Sequence, residues 1–196
     1  MATTKNLVLP TWRRVVEQSR PSHWVRIVVM AVLAAFATLH IHPWPAAAAY
    51  ALMLLAALTA TLVDLVEMRL PDLITYPMGF GGVIAAATLE VCGEQWGLLR
   101  AVIGGVVYGG LLLVMGLLDD RAVSLGDIKL CAALGIWLTG LSWGALLIGA
   151  TAGLALLVAE GLLRKFVVVG PARAFAAGPA LVCGAMFGLL LTQVGL

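Results

Sequence analysis

Charged residues are scarce in this sequence. They occupy 11% of its 196 positions, where soluble domains carry about 25%. Hydrophobic residues make up 62%. A soluble globular domain is excluded, and the net charge of +2 offers no basic surface for nucleic acid. Cysteine is sparse too. Cys92, Cys131 and Cys183 lie far apart in or beside apolar runs, and with no CxxC pair they form neither a zinc site nor a disulfide framework. Internal repeats and low-complexity tracts are missing. The length leaves room for one compact helical bundle and no soluble domain beside it.

What remains is a series of apolar runs, all but one of about the length of a membrane helix. The predicted spans are 25–42, 45–66, 72–91, 96–118, 126–139, 141–163 and 174–194. The fold expected is an all-α integral membrane protein, a polytopic bundle of about seven transmembrane helices. Residues 1–24 form a basic tail carrying Lys5, Arg13, Arg14 and Arg20. The first span is read as retained, because its leading tail is long for a cleaved signal and two prolines and Trp44 crowd the junction behind it. The fifth is short. From Gly126 to Gly140 it covers about 22 Å at 1.5 Å per residue, against a hydrocarbon core of about 30 Å. Either Asp127 sits a turn inside the membrane or the helix runs on towards Trp143. Glycine pairs such as Gly81-Gly82, Gly104-Gly105 and Gly109-Gly110 read as close helix packing.

Positive charge orients the bundle. With the N-terminus in the cytosol, the inner segments hold Lys5, Arg13, Arg14, Arg20, Arg26, Arg69, Arg121, Lys129, Arg164, Lys165 and Arg173, and only Arg100 falls outside. The same topology brings two acids to one depth. Asp64 ends the inward-running second span, and Asp127 opens the outward-running fifth.

A carboxylate at the centre of a membrane helix costs roughly 2.5–3.5 kcal/mol on insertion scales; one at a helix end stays near water. Two carboxylates about 4 Å apart at an effective dielectric near 20 repel by roughly 4 kcal/mol. One of such a pair keeps a proton near neutrality while the other is ionised. The ionised member activates a water and the protonated one polarises a carbonyl, so no metal or cofactor is called for. Each acid also has a plainer reading. Asp64 alone is an interfacial charge; Asp127 alone is a first-turn or capping acid favoured by the helix dipole.

The residues around these acids resemble those of the type IV prepilin peptidases, membrane aspartyl proteases of the GxGD class. Asp64 is followed after five residues by Leu70-Pro71-Asp72 and then Leu73-Ile74-Thr75-Tyr76-Pro77. The second motif reads Gly126-Asp127-Ile128-Lys129-Leu130. The resemblance is close over about Thr61 to Gly140 and looser at Gly178-Pro179-Ala180-Leu181. It implies a peptidase that removes the short basic leader of prepilin-like precursors at the cytosolic face of the inner (plasma) membrane, with residues 25–196 as the membrane-embedded peptidase domain. Asp64 and Asp127 would be the catalytic pair. Leu70, Pro71, Asp72, Gly126 and Lys129 would support them, Asp72 in a structural role and Lys129 by neutralising nearby charge or snorkelling to the interface. Ser124 stands where the family usually has the first glycine of GxGD. The paired CxxC domain of larger, bifunctional members has no counterpart here, so a short peptidase-only form is expected.

Two other readings fit part of the pattern. Presenilin-type proteases share GxGD and the triplet Pro179-Ala180-Leu181 matches theirs, but they carry Tyr before the first acid, where Val63 stands here. A proton- or cation-coupled transporter also uses intramembrane acids, yet it wants them near the midplane with discontinuous helices. Finally, basic leaders need negative charge near the dyad. Glu67, one turn beyond Asp64, together with Asp119 and Asp120 at the end of the fourth span, form a candidate leader-binding funnel. The expected partners are therefore precursor proteins and membrane lipid.

Overall fold

Backbone polar groups in hydrocarbon find no water, and a helix satisfies them within its own segment. The structure is a computed structural model that describes residues 17, 19–38, 41, 44–68, 70, 72–93, 96–118, 123–167 and 176–193. Among these residues the regular secondary structure is all helical, with no strand. In chain order the helices are α1 (Pro21–Thr38), α2 (Trp44–Glu67), α3 (Asp72–Val91), α4 (Gly97–Leu118), α5 (Leu125–Leu141), α6 (Trp143–Val167) and α7 (Gly178–Gln193). By length and composition α2, α3, α4 and the stretch Trp143–Leu163 of α6 are apolar enough to cross a membrane, and α7 is a shorter apolar helix. This is a polytopic helical membrane protein.

Each predicted span coincides with one helix, with shifted ends. The first is displaced: residues 25–42 were expected, and α1 runs Pro21–Thr38. Proline suits the first turn, where its fixed φ is helical and its missing N–H would be unpaired anyway. At the other end Thr38 Oγ1 donates to the Ala35 carbonyl at 2.9 Å, and the Ile41 N–H donates to the Thr38 carbonyl. The basic tail before residue 17 lies outside the described residues. The short fifth span extends to Leu141 and stops. Ser142 adopts an extended conformation, its N–H donates to Leu138, and its Oγ accepts from the Ala145 N–H at 3.0 Å. One residue thus ends α5 and caps α6. With 17 residues, α5 is about 25 Å long, and Asp127 lies in its first turn.

Without a hydrophobic drive between helices in lipid, close backbone approach does the packing. It is concentrated at two interfaces, α4 against α5 and α6 against α7. Added Cβ atoms would overlap Thr139 from Gly104, Ile136 from Gly105 and Ala132 from Gly109. At the second interface Gly184 and Gly188 meet the backbone around Gly149 and Gly153. Between these pairs lies a polar anchor. Trp137 Nε1 donates to the Met78 carbonyl at 2.7 Å, and Tyr50 Oη donates to the Trp137 carbonyl at 2.7 Å. The two rings meet edge to face with centroids 4.6 Å apart. This ties α2, α3 and α5 together with every buried polar atom in the set paired.

The glycine contacts make a prediction. Gly184→Ala places a Cβ 2.6 Å from the Gly149 carbonyl oxygen, and overpacking of this kind costs about 1–3 kcal/mol. The detergent-solubilised variant is expected to unfold at lower temperature. Gly110→Ala meets nothing within 4 Å and should unfold at the wild-type temperature or slightly above it. Equal loss in both variants would refute the packing role.

Candidate active site

Asp64 lies in the last turn of α2 and is buried, 4% exposed, among apolar residues. Its carboxylate is not left unpartnered. The Gly178 N–H, at the first position of α7, donates to Asp64 Oδ2 at 2.8 Å. A helix N-terminus carries unsatisfied N–H groups and partial positive charge, both favourable to an anion. Gly178 is required by space: a Cβ there would lie 2.7 Å from Asp64 Oδ2. Four residues past Asp64, Met68 ends the helix in the left-handed region, φ 51, while its N–H still bonds the Asp64 carbonyl at 2.9 Å. A non-glycine residue there costs roughly 1–2 kcal/mol, and such strain gathers at functional sites.

Asp127 is the third residue of α5. Ser124, just outside the helix, is the N-cap: Asp127 N–H donates to Ser124 Oγ at 3.2 Å and Ser124 N–H returns a bond to Asp127 Oδ2 at 3.1 Å. This is a capping box. The plain capping role and the site position coincide in one residue. All hydrogen bonds between described residues and these two carboxylates fall on Oδ2, so Oδ1 of each acid has no partner among those residues.

Two further contacts interlock the motifs. Leu70 packs on Gly126, where an added Cβ would stand 3.0 Å from the Leu70 Cβ. Lys129 Nζ donates to Asp72 Oδ1 at 2.6 Å and lies 5.1 Å from the Tyr76 ring centroid. The pair is about a third exposed, 34% and 31%, so its worth is near the upper end of the ~0.2–1 kcal/mol of exposed pairs. Asp72→Asn and Lys129→Met are each expected to lower thermal stability by about 1 kcal/mol, with the double variant no worse than either single. Additive losses would show that the pair is not coupled.

The other predicted site residues divide. Glu67 is exposed at the end of α2, and no contact joins it to the acids. Pro71, Asp119 and Asp120 lie outside the described residues. Gly178 was noted in the sequence only as part of a loose match, and its amide on Asp64 was missed. A main-chain donor has no residue-type signature.

The helices carrying the acids meet each other through the Tyr50–Trp137 contact. Both α2 and α5 also pack on α3 and α7.

A profile of the type IV leader peptidase family matches residues 48–169, the stretch that holds both acids. The chain belongs to the type IV leader peptidase family. Among curated relatives, it is 32% identical over 157 residues to a prepilin leader peptidase/N-methyltransferase of Pectobacterium carotovorum subsp. carotovorum, covering 74% of this chain and 52% of the relative. Proteins of the same description from Aeromonas hydrophila (33% over 145 residues, 68% and 49%) and Aeromonas salmonicida strain A449 (35% over 149 residues, 68% and 49%) match similarly. The chain thus spans about half the length of these curated relatives. No solved structure matches it.

Proposed function

We propose that this protein is an aspartyl endopeptidase that cuts the short basic leader from prepilin-like precursors at the cytosolic face of the inner membrane. The observation that carries the reading is that two acids within the stretch matched by the family profile are each anchored through one carboxylate oxygen, Asp64 by the Gly178 N–H and Asp127 by the Ser124 N–H. In the proposed reaction the ionised acid takes a proton from a water, whose oxygen attacks the scissile carbonyl carbon. The protonated acid gives its proton to the carbonyl oxygen. Collapse of the tetrahedral intermediate breaks the C–N bond, and the departing amine takes up a proton from the dyad. Glu67, Asp119 and Asp120 would hold the leader's positive charge.

The test mixes the detergent-solubilised protein with prepilin precursors and sequences the N-termini of the products. A single new N-terminus directly before the apolar segment is the expected result. No cleavage, together with ion flux in proteoliposomes, would favour a transporter. Orientation has its own test: in a cysteine-free background, a cysteine near Asp120 should be shielded from an impermeant reagent outside intact cells, and one near Glu94 should label. The reverse pattern would put the acids on the wrong face.

A further inference from the structure

Two positions of the second motif differ in the room they have. At Gly126 an added Cβ would stand 3.0 Å from Leu70 Cβ, so a side chain there would crowd the neighbouring motif. Position 124 is exposed, and its backbone is extended (φ −85, ψ 156), a conformation open to any residue. A side chain there displaces nothing, and in this chain it is a hydroxyl.

That hydroxyl is fully engaged with Asp127. Ser124 Oγ accepts from the Asp127 N–H at 3.2 Å and donates to Asp127 Oδ2 at 2.8 Å. A serine has one proton to give, and the carboxylate receives it. The Ser124 N–H reaches the same oxygen at 3.1 Å. Two donors converging on Oδ2 fix the carboxylate's rotation and turn Oδ1 away from the cap. A glycine at 124 would keep the main-chain donor and lose the other.

We propose that Ser124 is a positioning residue for the reaction, orienting the Asp127 carboxylate through its hydroxyl. The inference rests on the peptidase reading above. The hydroxyl's work on the carboxylate is separable from helix capping, since glycine at an N-cap is only a few tenths of a kcal/mol worse than serine.

The experiment compares wild type with Ser124→Gly, Ser124→Thr and Asp127→Asn on a purified prepilin precursor, measuring kcat, KM and the thermal midpoint of each. Ser124→Gly is expected to lose about ten-fold in kcat, the size of one charge-assisted hydrogen bond. Its KM and thermal midpoint should stay close to wild type. Ser124→Thr keeps the hydroxyl and should fall within about two-fold of wild-type kcat, because one staggered rotamer of threonine places Oγ1 where Oγ lies. Wild-type kcat in the folded glycine variant would overturn the proposal, as would a threonine variant as slow as the glycine one. A wild type that cleaves nothing would overturn the peptidase reading and this proposal together. A cleaving wild type, a dead Asp127→Asn and a fast Ser124→Gly would overturn this proposal alone.

Discussion

Asp64→Asn and Asp127→Asn are each expected to bring precursor cleavage down to background while the protein still inserts and accumulates. General acid–base groups contribute about 10²–10⁴-fold each. Paired acids act as a unit, so the double variant should be no slower than either single one. Asparagine suits the test because it keeps the local bonds. An amide oxygen at 64 still accepts from the Gly178 N–H, and one at 127 still accepts from the Ser124 N–H, the two contacts that anchor the carboxylates. Loss of cleavage with an unchanged thermal midpoint therefore isolates the chemistry from the fold. Near wild-type cleavage by either variant would remove that residue from the proposed mechanism.

Gly178→Ala is the second large effect. The new Cβ would stand 2.7 Å from Asp64 Oδ2, 3.4 Å from its Cγ and 3.5 Å from its Cβ. Both residues are buried, and the aspartate side chain is too short to move aside without leaving its place. The start of α7 shifts or Asp64 rotates, and either breaks the 2.8 Å bond. A buried acceptor stripped of its partner costs about 1–3 kcal/mol, so kcat is expected to fall by roughly 10–100-fold. Gly161→Ala, which meets nothing within 4 Å, serves as the control and should cleave at the wild-type rate. If Gly178→Ala also cleaves at that rate, the amide is not what holds Asp64 in its working position.

The helices were legible in the sequence because lipid imposes one demand on every span, and apolar runs between breaks answer it. The ends were less so. Pro21 starts α1 four residues before the apolar run that marked it, since helix starts follow backbone geometry and not hydropathy. At the candidate site, the two acids stood out as carboxylates in an oily chain. The Asp72–Lys129 pair did not, because its members sit 57 residues apart and the choice of ion partner depends on how α3 and α5 dock. Ser124 appeared in the sequence as a substitute for a turn glycine. Its capping box with Asp127 is a pattern of serine and acid three apart, readable in principle but overshadowed by the motif around it.

The bond between Asp64 and Gly178 joins residues 114 apart in the chain, and this has a consequence for biosynthesis. At about 5–20 residues per second, the ribosome makes Asp64 roughly 6–23 s before the amide that anchors it. A nascent chain holding everything up to α6 has both acids but lacks the anchor for one of them. Under the proposed function, the order of synthesis acts as a safety catch on a peptidase made in the same membrane as its precursors. Chains stalled on the ribosome before Gly178 should leave those precursors uncut, and release of the complete chain should start cleavage without any further processing step.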